Sequence, residues 1–123
     1  MNDLIGIPYV TAGRDPAVGV DCVGLLELAL ERFGIRWRCF VNTADTDAMA
    51  DTLSRQRRSP IWRKVEEAEA QPGDVVVLNR HHVGILVDGG VLHSTRGHGS
   101  CIQSVTALRR SRYPVIAWYR YCG

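Results

Sequence analysis

The chain has 123 residues, 46% of them hydrophobic and 23% charged, with a formal net charge of +2 at neutral pH. That length suits one compact core, and the composition excludes a disordered or collagen-like chain. The charge is too small to point to nucleic acid, and the clusters Arg55, Arg57, Arg58 and Arg109, Arg110, Arg112 read as solvated surface rather than a phosphate-binding groove.

Met1, Asn2 and Asp3 are not followed by a basic segment and an apolar run. The expectation is a chain made in the cytoplasm, with no signal peptide and no membrane span, forming one domain over residues 1–123. Cys22, Cys39, Cys101 and Cys122 are widely and irregularly spaced, with no C-x-x-C pair. Neither a structural zinc site nor a disulfide framework is expected, and no metal or cofactor is called for.

In chain order, residues 6–21 are rich in Gly and Pro and read as a loop entering a helix. From Cys22 to Phe33, apolar residues at 22, 25, 26, 29, 30 and 33 form one helical stripe, with Asp21 as N-cap and Gly34 as stop. That places Cys22 in the first turn, its sulfur toward the core, where free N–H groups and the helix dipole favour a thiolate. A weaker helix is predicted over Thr46 to Arg57 with Met49, Leu53 and Ala50 inward, ended by Ser59-Pro60. Residues 62–70 read as one or two further helical turns before the turn at Gln71 to Asp74.

After that turn the period changes. Val75 to Leu78 is a continuous apolar run of buried-strand type. Val83 to Val87, a turn at Asp88-Gly89-Gly90, and Val91 to Ser94 form a hairpin. Strands are also predicted over Cys101 to Val105 and Val115 to Tyr121. Helices first and an antiparallel meander of about five strands after them make an α+β plan.

A cysteine nucleophile needs a base within reach and a group that holds that base in its tautomer. His82 opens one hairpin strand and His93 lies near the end of its partner, so the two come close across the pair. With Cys22 on the helix packed against this sheet, the three side chains can converge. His81 competes with His82 for the role of base, and His98 reads as a solvated loop residue.

The stretches Gly6-Ile7-Pro8-Tyr9, Gly19-Val20-Asp21-Cys22-Val23-Gly24-Leu25, Pro72-Gly73-Asp74, His82-Val83-Gly84-Ile85 and Leu92-His93 together resemble the NlpC-type cell-wall cysteine peptidases. The resemblance implies a papain-like core with Cys22 as nucleophile, His82 as base and His93 as its orienting residue. It also implies that Tyr9 lies beside the active site and that Asp21 holds a free amine of the substrate; Val23 and His81, beside the nucleophile and the base, complete the expected substrate side. The implied substrate is the stem peptide of peptidoglycan, cut between D-glutamate and a diamino acid. Many members carry Ser where this chain has Val23, and a tryptophan with paired glycines near Thr11-Ala12-Gly13. An apolar residue after the Cys, the expected lack of a signal peptide and the expected short single domain together resemble the branch found in bacteriophage tails and tail-like particles, which implies a virion-tail setting and tail-tip proteins as partners. Two further readings stand beside this one: a non-catalytic tail-tip assembly protein, or an amidase or acyltransferase on the same scaffold.

Overall fold

The first secure helix, α1 (Cys22–Arg32), forms where the apolar stripe predicts it, in a computed structural model that describes residues 1–123. Asp21 caps its start by accepting the Gly24 N–H. At its end, Ile35 N–H returns to the Leu30 carbonyl and Gly34 N–H to Glu31, with Gly34 at φ +76°. This is a Schellman stop, and the left-handed position is why a glycine stands there. A two-stranded ribbon, β1 (Arg14–Asp15) and β2 (Gly19–Val20), leads into the helix. Helix α2 (Thr46–Arg57), capped by Asp45, buries Met49 and Leu53.

The sheet contains β3 (Trp62–Val65), β4 (Val75–Leu78), β5 (His82–Val87), β6 (Gly90–Thr95), β7 (Gly99–Gln103) and β8 (Val115–Tyr121). Their order is β3-β8-β4-β5-β6-β7, with every neighbouring pair antiparallel. Side chains alternate between its faces. One face carries Val83, Ile85 and Leu92, packed with Leu25, Leu26 and Leu30 of α1. The other carries Val76, Leu78, Val91 and Trp118, roofed by Leu108 of a short helix, α3 (Val105–Arg109). Each fully buried leucine stabilises by about 1.5–3 kcal/mol relative to exposure, so the sheet-facing leucines of α1 fix where that helix begins.

The α+β plan holds, with four local differences. The sheet has six strands rather than about five. Residues 62–65 form β3, followed by a 3₁₀ turn over Glu67–Glu69, instead of the expected helical turns. Pairing with β8 overrides the helical propensity of that glutamate-rich stretch: Trp62 lies opposite Tyr121 and Val65 opposite Trp118. The strand expected to reach Val105 stops at Gln103, where Ser104 caps α3 by accepting the Ala107 N–H. Phe33, expected on the buried stripe of α1, is its C-cap and is 37% exposed. The backbone has left helical geometry there, and the ring instead lies over Gly73, where an added Cβ would stand 3.1 Å from it.

Candidate active site

Cys22 is the first residue of α1 and is buried. Beneath it, Asp21 is fully buried, and its carboxylate accepts four hydrogen bonds. These come from the Gly24 N–H at 2.7 Å, the Ala12 N–H at 3.0 Å, Arg14 Nη1 at 2.8 Å and the Thr43 hydroxyl at 2.6 Å. Arg14 also reaches Glu27 at 3.5 Å, and Glu27 accepts the Cys39 N–H at 2.9 Å. The loop before the helix is thus tied to its first turn by a saturated charged network. Gly24 permits that approach, since a Cβ there would lie 2.2 Å from the Gly13 carbonyl oxygen.

His82 opens β5 after a turn in which Asn79 and Arg80 both adopt positive φ, +58° and +79°. Asn79 holds that turn, its N–H donating to the Pro114 carbonyl and its side-chain amide to that of Arg112. Left-handed non-glycine residues cost energy and persist only where the surroundings hold them. Here the held turn delivers His81 and His82. His82 Nε2 lies 2.9 Å from His93 Nδ1, and His93 Nε2 lies 2.5 Å from Gln103 Oε1. The contact between the imidazoles is diagonal. In the β5–β6 register Gly84 stands beside His93, and a Cβ on Gly84 would crowd His93 Cβ at 3.2 Å. Tyr113 packs on both rings, with centroids 4.5 Å and 5.9 Å away.

The two histidines do not lie on the face that α1 covers. By strand alternation they share the opposite face with Leu86 and Val91. Convergence with Cys22 therefore occurs at the end of the sheet rather than through direct helix-on-face packing. Cys22, His82, Tyr9, His81, Thr43 and Tyr113 line one cleft there, of about 440 Å³.

Burial pushes the Cys22 thiol up to about 12, and the neighbouring Asp21 charge pushes the same way. The Val83 and Val23 N–H groups and Arg14 pull against this without overcoming it. Since Val83 follows His82, its N–H places the sulfur beside the start of β5. His82 is pushed down to about 3, first by burial and then by the like charges of His93 and His81. Burial also lowers His93, opposed by its hydrogen bond to Gln103. Burial thus favours the neutral thiol and the neutral imidazole, and desolvation together with the capping carboxylate opposes the thiolate that the helix N-terminus would favour.

The substrate-side expectations separate. Tyr9 lines the cleft half-buried, with the Arg96 guanidinium 5.8 Å over its ring, and His81 lines it too. Val23 does not: its side chain is 1% exposed in the core beneath α1. Only its backbone N–H faces the sulfur. Asp21 is likewise out of reach of a substrate amine, being fully buried with its oxygens occupied. Sequence reasoning missed Arg14, Gln103 and Tyr113, whose roles rest on side-chain contacts that no local periodicity marks. It also missed Arg96 and Arg112, the two guanidinium groups on the cleft wall.

A cysteine at a helix start, sharing a cleft with a strand-borne histidine, is the arrangement of papain-like domains. The model of the NlpC/P60 family matches residues 6–115. The chain belongs to that family, a family of peptidoglycan hydrolases. It is 29% identical over 103 residues to the bifunctional muramidase/DL-endopeptidase CwlT of Bacillus subtilis, covering 76% of this chain and 26% of CwlT. The chain therefore spans about a quarter of that relative's length. Its fold matches a lipoprotein-like NLP/P60 protein of Staphylococcus aureus, with TM-score 0.64, 21% identity and coverage of 98% of this chain and 38% of that one. It also matches the NlpC/p60 domain of the peptidoglycan hydrolase SagA, with TM-score 0.61, 21% identity and coverage of 98% and 92%.

Proposed function

We propose that the protein is a cysteine endopeptidase that cuts amide bonds in peptidoglycan stem peptides, at the bond between D-glutamate and a diamino acid. The observation that carries this reading is the single cleft shared by Cys22 and His82, with His82 held by His93. Family membership and the DL-endopeptidase named in the CwlT relative support the choice of substrate.

In this mechanism His82 takes the thiol proton as Cys22 attacks the amide carbonyl and the S–C bond forms. The unpaired N–H groups in the first turn of α1 stabilise the oxyanion. The C–N bond then breaks as His82 delivers its proton to the leaving amine. Water, deprotonated by His82, attacks the thioester and releases the acid and free Cys22. Arg96 and Arg112 line the cleft, and no carboxylate does, which favours a stem peptide bearing a free carboxylate near the scissile bond.

The setting we propose is the bacterial cell wall. A tail particle as carrier rests only on the resemblance to the phage-tail branch, and detection of the chain in purified particles by mass spectrometry tests it. The activity is tested by digesting defined muropeptides and identifying the fragments by mass. Cleavage after D-glutamate by the native protein, absent in Cys22→Ala, is expected. Intact muropeptides, or equal cleavage by both proteins, would refute the reading.

A further inference from the structure

We propose that Gln103 is a positioning residue that sets the tautomers of His93 and His82 and thereby decides which nitrogen of His82 can act as base. The inference rests on the cysteine-hydrolase reading of the site, and it concerns a side chain outside the cleft that Cys22 lines.

Each proton in the chain of hydrogen bonds is fixed by its neighbour. A neutral imidazole has one N–H and one lone pair. His93 Nε2 faces Gln103 Oε1 at 2.5 Å, and a carbonyl oxygen only accepts. His93 therefore carries its proton on Nε2 and presents a lone pair at Nδ1. That lone pair, 2.9 Å from His82 Nε2, requires the proton of His82 to sit on Nε2. His82 Nδ1 is left with the lone pair, on the ring nitrogen nearer its own backbone. Beside that backbone, the Val83 N–H touches the Cys22 sulfur. Reversal of the Gln103 amide inverts every step: its NH₂ would donate to His93 Nε2, His93 Nδ1–H would donate to His82, and His82 Nδ1 would be protonated. In that state the lone pair of His82 sits on Nε2, engaged by His93, and none faces the thiol.

The backbone that carries Gln103 is held in register beside His93. Val91 pairs with Gln103 across β6 and β7, and a Cβ on Gly90 would lie 2.4 Å from the Gln103 carbonyl oxygen. Parity in the two strands puts Val91, His93, Cys101 and Gln103 on one face, so the side chain arrives beside His93 from the edge strand. Once His82 has taken the proton, its Nε2–H donates more strongly to His93. The Gln103 oxygen then accepts from a more polarised His93 Nε2–H, which stabilises the charged form of the pair.

Nitrogen-15 spectra of the histidine rings in the full chain at neutral pH read the tautomers without any substrate. Expected are protonated Nε2 and bare Nδ1 on both His82 and His93. Protonated Nδ1 on either ring overturns the proposal. Three variants carry the assignment into catalysis. Gln103→Leu, which has no acceptor, is expected to lose about 10- to 100-fold in kcat, part of the ~10²–10⁴ a positioned base supplies, with KM nearly unchanged and mixed ring tautomers. Gln103→Glu keeps the acceptor and adds a charge, so it is expected to restore kcat and move the acid limb of the pH profile upward. Gln103→Asn, too short to reach, is expected to behave like the leucine variant.

The charged or titratable groups around the pair are Tyr9 in the N-terminal loop, Cys22 on α1, His81 before β5, Arg96 and His98 between β6 and β7, Cys101 on β7, and Arg112 and Tyr113 before β8. None of them changes in these variants, so the shift belongs to residue 103. Equal kcat in Gln103→Leu and the native protein, or a Gln103→Glu variant no better than leucine, contradicts the proposal. Inert native protein with the stated tautomers would count against the endopeptidase reading and leave the tautomer assignment standing.

Discussion

Two buried polar networks meet at the end of the sheet, and they are built differently. Below Cys22, Arg14 bridges Asp21 and Glu27, and every carboxylate oxygen of Asp21 is engaged. Beyond His82, the chain His82–His93–Gln103 is neutral, and one nitrogen of His82 has no protein partner among its hydrogen bonds. The charged network is closed and holds a helix start in place. The neutral one is open at one end, where a proton can be received. Charge fixes geometry here because leaving either side unpaired in the interior is costly, whereas a neutral imidazole can change protonation state where it stands.

Opening the neutral chain has the largest expected effect. His82→Ala should cut kcat/KM by roughly 10²–10⁴, while the protein still folds with a lowered urea midpoint, since a buried ring packed by Tyr113 is removed. Loss of fold together with activity would make the histidine structural instead. The charged network should respond in the reverse sense. Arg14→Met leaves two buried carboxylates uncompensated and is expected to cost about 3 kcal/mol in urea denaturation, the low end for a broken buried pair. The Arg14 side chain is 29% exposed, which screens part of the loss. A control at the surface, Arg32→Gln against Asp3, is expected to change the urea midpoint imperceptibly, since both partners are solvated.

Acid distinguishes the two networks more finely. His82 sits at about 3 in the fold against an ordinary 6.5, so between these values the unfolded chain binds the extra proton. The stability tied to a neutral His82 is fully present above 6.5 and falls as pH drops, by about 1.4 kcal/mol per pH unit for this one group. His93 acts in the same direction. Urea midpoints measured between pH 7 and pH 4 check this, and His82→Gln should flatten the slope. The same values give kcat/KM a wide plateau, because neither the neutral imidazole nor the neutral thiol is lost near pH 7. A narrow bell centred there would instead indicate a preformed ion pair.

What the sequence disclosed follows from how local each signal is. The stripe of α1 and its Asp21 and Gly34 ends are written within fourteen consecutive residues, and the Asp88-Gly89-Gly90 turn sets His82 against His93. The strand at Trp62–Val65 was not legible, because its only partner is β8, more than fifty residues away. Helix α3 is five residues long, too short for a period to declare itself. The face occupied by the histidines could have been derived from alternation alone, since Val83 and Ile85 read as core and His82 must point the other way. Gln103 offered no such clue: an edge-strand glutamine gains its meaning only from the ring it touches. The capping role of Asp21 was readable, but its saturation by Ala12, Arg14 and Thr43 was not, and that saturation removes it from the substrate.

In the proposed mechanism Cys22 forms a covalent bond to the stem peptide. Rapid quenching of the native protein with a defined muropeptide, followed by peptide mass spectrometry, looks for that bond itself. Expected is an adduct equal in mass to the acyl fragment on the peptide containing Cys22, and on no peptide containing Cys39, Cys101 or Cys122. Turnover of the muropeptide without that adduct, and persisting in Cys22→Ala, would contradict it.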